Sequence, residues 1–62
     1  MKLSKSESKF FLKVVEEISE LSLELIHAVN KPNKENLKNI KEEMLDVEIA
    51  FKPLKDIIKN KK

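Results

Sequence analysis

Four acidic side chains, Glu17, Glu20, Glu43 and Asp46, stand where a charge is hardest to place in a helical chain. At about 100° per residue, Glu17 falls at the edge of the apolar sector made by Phe10, Leu21 and Ala28, with Glu20 and Glu24 on the same flank. Glu43 falls inside the apolar sector of the second half, among Ile40, Val47, Ala50 and Leu54, and Asp46 follows at its rim. A carboxylate facing a helical core must be protonated, paired or metal-bound, because an isolated ionised one is very costly to bury. Few cations lie on that side of either segment. Oxygen donors without cysteine or histidine favour Mg²⁺ or Mn²⁺ over zinc, and Mg²⁺ shares its octahedron with waters and phosphate oxygens. The chemistry to expect is that of a phosphorylated substrate.

Two helices must carry these acids. Ser4 followed by Glu7 fits a capping box, after which Phe10, Phe11, Val14, Val15, Ile18, Leu21, Leu25, Ala28 and Val29 recur at helical spacing. The pattern predicts a helix over about 5–29. A turn follows at 30–33, where the residue before Pro32 leaves the α region and Asn33 can cap the next helix. Leu37, Ile40, Met44, Val47, Ala50, Phe51, Leu54 and Ile58 then predict a second helix over about 34–59. Pro53 removes a hydrogen bond to Ile49 and predicts a kink there, in preference to a stop and restart. The basic end, Lys59, Asn60, Lys61 and Lys62, is expected to be a frayed, solvated tail. A short turn makes the helices antiparallel and brings their middles level, so that Glu17 and Glu20 face Glu43 and Asp46.

The two-part motif Glu16-Glu17-Ile18-Ser19-Glu20 and Glu43-Met44-Leu45-Asp46, followed by Val47-Glu48-Ile49, resembles the paired acidic motif of MazG-like proteins. These belong to the all-α nucleoside triphosphate pyrophosphohydrolases. The resemblance spans roughly residues 14–54. It implies Mg²⁺-dependent cleavage of the α–β phosphoanhydride of a nucleotide, a deoxynucleotide above all, to a monophosphate and pyrophosphate. It also implies that Glu17, Glu20, Glu43 and Asp46 are the metal ligands and catalytic acids, with Glu16 at the family's leading glutamate. Lys52 and Lys55, after the second motif, are the family-like candidates for the triphosphate, although a solvated basic face is the plainer reading of either, and His27 is a surface or base-pocket residue. The general base is assigned to no residue. Family members usually wrap further helices around such a pair, which keeps two alternatives open: a non-catalytic relative that sequesters nucleotides, and a ligand-free helical oligomerisation module.

Other readings compete for the same residues. The acids would form an ordinary charged face if i,i+4 pairs such as Lys13 with Glu17 satisfied them. A ferritin-like dimetal bundle needs a histidine three residues after a glutamate, a spacing met once, by Glu24 and His27. Thirteen basic against eleven acidic residues leave a net charge of +2, too balanced for a nucleic-acid footprint. The chain has no arginine for bidentate contacts and no tyrosine or tryptophan for base stacking, so no nucleic-acid partner is expected.

Sixty-two residues without cysteine rarely bury enough apolar surface alone. The expectation is one all-α domain over 1–62, a hairpin that pairs with copies of itself as a four-helix bundle, in a homodimer or a homotetramer. Phe10 and Phe11 would seal that interface, and Leu23, Leu45 and Ile49 would offer a second contact. No apolar run approaches a membrane span, and charge follows Met1-Lys2-Leu3-Ser4 where a signal peptide needs an apolar region. A soluble, cytoplasmic protein without a membrane partner is expected.

Overall fold

The propensities are consistent from end to end: no glycine, few β-branched runs and polar caps at the predicted starts. A computed structural model, describing residues 2–61, contains two helices, α1 over Lys5–Asn30 and α2 over Lys34–Asn60, and no strand among the described residues. Both bounds lie within a residue of the sequence expectation. The helices lie side by side as a rod of 44 × 16 × 14 Å. Met1 and Lys62 lie outside the described residues, and no helix of the described residues is long and apolar enough to cross a membrane.

The caps form as the sequence suggests. The Glu7 amide donates to Ser4 Oγ at 3.1 Å, and the Ser4 amide donates to Glu7 Oε1 at 2.8 Å, closing the capping box. At the turn, Asn33 Oδ1 accepts from the Asn36 amide at 2.8 Å, and Asn36 Nδ2 donates to the Lys31 carbonyl at 3.0 Å. The Lys31 amide donates back to the His27 carbonyl at 2.8 Å. The turn therefore satisfies the exposed ends of both helices without any residue at positive φ. Helix α2 runs without interruption through Pro53, so the stop-and-restart alternative does not occur.

One feature departs from the sequence reading and another follows it. The basic tail is not wholly solvated: Lys61 Nζ lies 3.1 Å from Glu7 Oε1 and donates to the Lys2 carbonyl at 3.3 Å. The capping-box glutamate thus also ties the two chain ends together at the open end of the hairpin. The core is also very small. Val14, Val47 and Ala50 are the buried apolar residues, and no large side chain is fully buried among the described residues.

The Glu7 carboxyl is held below its ordinary value of 4.5, first by the Ser4 amide and then by Lys61. A lowered folded-state value contributes stability above the unfolded value that is lost as pH falls through the lowered one. Glu7→Gln should therefore lower the melting temperature at neutral pH and leave it nearly unchanged once carboxylates are protonated. Thermal melts followed by circular dichroism across the acid range check this. A constant difference at all pH values would show that the Glu7 charge does not hold the open end.

Candidate metal centre

The hairpin register decides which acids meet. Glu17 and Val47 are equally far along the chain from Pro32, so the middle of α1 packs against the middle of α2. On α1 the buried and half-buried side chains include Glu7, Phe11, Val14, Glu17, Leu21, Glu24 and Ala28, a seam that alternates steps of three and four residues. Three of them are glutamates. The facing residues of α2 include Ile40, Glu43, Val47, Ala50 and Leu54.

Glu17 is the most enclosed of the acids, with 7% of its surface exposed. Glu43 is half-buried and Asp46 exposed, in the order their places inside and at the rim of the apolar sector suggest; what is reversed is Glu17 against Glu43, since the sequence reading placed Glu43 deeper. One oxygen from each of Glu17, Glu43 and Asp46 lies within 4.8 Å of the others. Glu17 Oε2 and Glu43 Oε2 are shut from solvent and have no hydrogen-bond partner. Glu20 is exposed and outside this set of three, although its charge bears on Glu43. Three of the four predicted ligands therefore converge, and the fourth stands beside them.

Lys13 answers part of this negative charge. Its Nζ lies 3.0 Å from Glu17 Oε1 and 3.8 Å from Glu16 Oε1, and these contacts raise its own pKa, the Glu17 hydrogen bond first. This is the i,i+4 pair that an ordinary charged face would form, but its acid is buried and its second oxygen stays bare. The Glu43 carboxyl is pushed above its ordinary value of 4.5, chiefly by loss of water and then by Glu20, Asp46 and Glu17.

Glu17 and Asp46 open into a pocket of about 460 Å³ lined also by Phe10, Lys13, Ile49, Ala50 and Pro53, while Glu43 lies outside its lining. Sequence reasoning missed Lys13 as the pocket's cation and took Phe10 for interface or core; both sit one turn or two before Glu17 on its flank, the signal that could have found them. Lys52 and Lys55 are exposed and do not line this pocket. His27 lies at the other end of the helices, in a shallower pocket of about 280 Å³ with Asn30, Lys31, Asn33 and Asn36. The structure thus does not gather the three candidate substrate residues around the acids.

Compared with known proteins, the chain matches no family model, no curated protein and no solved structure.

A raised carboxyl makes the folded state less stable as pH climbs from the ordinary value through the raised one, because the unfolded chain ionises first. In metal-free buffer, Glu43→Gln should melt higher than the parent at neutral pH, and the gain should vanish below about pH 4.5, the ordinary value for the side chain. Glu48→Gln, on an exposed position, is the control. If both variants follow the parent at every pH, Glu43 is not held among other carboxylates.

Proposed function

We propose that this chain is a MazG-like, Mg²⁺-dependent nucleoside triphosphate pyrophosphohydrolase acting as a homodimer or homotetramer. The observation that carries the reading is the convergence of Glu17, Glu43 and Asp46 oxygens within 4.8 Å, two of these residues having buried oxygens with no partner. Structural ion pairs rarely leave such atoms bare, whereas a hard cation would complete them. The donor set is all oxygen and fits Mg²⁺ or Mn²⁺. The motif resemblance adds the substrate class and the bond to be broken.

Bound there, the cation would neutralise charge on the phosphate oxygens as the α–β bond breaks. The chain's own residues do the rest. Glu17, Glu43 and Asp46 would hold the cation from both helices, so the site depends on the hairpin register. Glu20 adds negative charge beside Glu43. Lys13, exposed at the pocket mouth, can reach a phosphate oxygen, while Phe10, Ile49, Ala50 and Pro53 give apolar walls for a nucleobase or sugar. In the reaction a water oxygen bonds to phosphorus, the bridging oxygen leaves with pyrophosphate, and the water's proton passes to a carboxylate or to solvent.

A second reading, a ligand-free helical module, is favoured by the Lys13–Glu17 ion pair, which meets part of the charge without any ion. A nucleotide-sequestering relative stands between the two. One screen separates them: canonical and modified nucleoside triphosphates, with and without Mg²⁺, read for pyrophosphate release and for binding. Mg²⁺-dependent turnover is expected, and Glu43→Gln should lower it by about a hundredfold or more while Glu48→Gln stays near the parent. Binding without turnover would replace the enzyme with the sequestering protein. Neither, together with a melting temperature that Mg²⁺ leaves unchanged at mildly alkaline pH, would leave the ligand-free module.

A further inference from the structure

Helix α1 divides sharply along its length. Residues 8, 11, 12, 15, 18, 19, 22, 25, 26 and 29 are serine, phenylalanine, leucine, valine or isoleucine, and none is charged. Every charged residue of α1 from Lys9 onward falls outside this set, on the acidic flank or in the seam. Helix α2 adds a matching line at seven-residue spacing, Leu37, Met44, Phe51 and Ile58. In an antiparallel pair these two stripes fall on one side of the hairpin, opposite the flank where Lys13, Asp46, Ile49 and Pro53 line the pocket. The hairpin has an acidic face and an apolar face.

The apolar face is uncovered. Val15, Ile18, Leu25, Leu37, Met44 and Ile58 are all exposed, while the seam buries three apolar residues. The half-buried Phe11 and Phe51 lie at its margins, and one long side of a rod of 44 × 16 × 14 Å is comparable with the roughly 800 Å² that one partner contributes to a stable interface of standard size. Its seven-residue period suits helices packed at about 20°, as in a four-helix bundle.

We infer that a second copy of this chain docks on the apolar face of Val15, Ile18, Leu25, Leu37, Met44 and Ile58, so that two hairpins pack back to back and their acidic pockets open on opposite sides of the dimer. Each pocket is then built by one chain, and the partner supplies none of its ligands. This assignment stands whether or not the pocket turns over a nucleotide.

In the single hairpin Met44 and Leu45 are neighbours with nearly equal exposure, 50% and 53%, but only Met44 lies on the apolar face. The chain has no cysteine, so Met44→Cys and Leu45→Cys each give one thiol to alkylate. At concentrations where sedimentation shows a dimer, the thiol at 44 should react roughly tenfold more slowly than that at 45, and dilution should close the gap. Ile18→Glu should shift sedimentation toward monomer, whereas Leu45→Glu should not; should Ile18→Glu fail to fold, the alkylation pair decides. A folded parent monomer, equal rates in a dimer, or protection at 45 alone would overturn the proposal. So would protection at 44 that appears only when anionic phospholipid vesicles are added, since a lipid surface would then be the occupant.

Discussion

A carboxylate at the middle of a two-helix seam sets the terms for the rest of this molecule. Glu17 occupies a position that a hydrophobic residue would fill in an ordinary hairpin, and its ionised form keeps only what Lys13 and the neighbouring acids allow. Lys13 reaches one oxygen from the solvent side. The other oxygen has no partner, and Glu43 Oε2 is equally bare. Two like charges facing each other across a seam weaken the packing that holds them there. A divalent cation bound there would reverse the sign of that interaction, turning repulsion between α1 and α2 into a bridge between them.

This electrostatic load falls on a chain with little to spare. The seam buries three apolar residues, and ordering some sixty residues costs far more than they return. The capping box, the Asn33 cap and the Glu7–Lys61 tie each remove a source of fraying, but they act at the ends. The larger store of apolar surface lies on the outer face, where a single hairpin leaves it in water. Charge is confined to one face of α1 and apolar surface to the other, so covering the second need not disturb the first.

Much of this was legible in the residues. Ser4 with Glu7, Asn30 to Asn33 and the helical recurrence of apolar positions placed both helices, because caps and periodicity are local signals. The hairpin register followed from a short turn, and with it the meeting of Glu17, Glu43 and Asp46. What escaped was set by rotation about each helix axis. A wheel drawn on all apolar residues averages the seam with the outer stripe, which moved Glu43 to the centre and Glu17 to the edge. Separating the two stripes of α1, one residue apart in register, would have put Glu17 in the seam. The Glu7–Lys61 contact joins opposite ends of the chain and has no local signature. The placement of Lys52, Lys55 and His27 came from the resemblance rather than from the wheel, and the wheel puts none of them beside the acids.

The two proposed events would be coupled even though their faces do not touch. Pairing of hairpins would stabilise the folded helices, and only folded helices bring Glu17, Glu43 and Asp46 within reach of one ion. A bound cation would likewise stabilise the folded hairpin, the form that presents the apolar face as a continuous stripe. Each event would select the state the other needs, so their free energies would add in favour of assembly without any change of shape at either face. The coupling passes through the folding equilibrium itself. A chain with a larger private core would lose it, because its hairpin would already be formed before either partner arrived. With so small a seam, folding, assembly and occupation of the acidic site would become aspects of one equilibrium, and the bare oxygen of Glu17 would set how strongly that equilibrium responds to a cation.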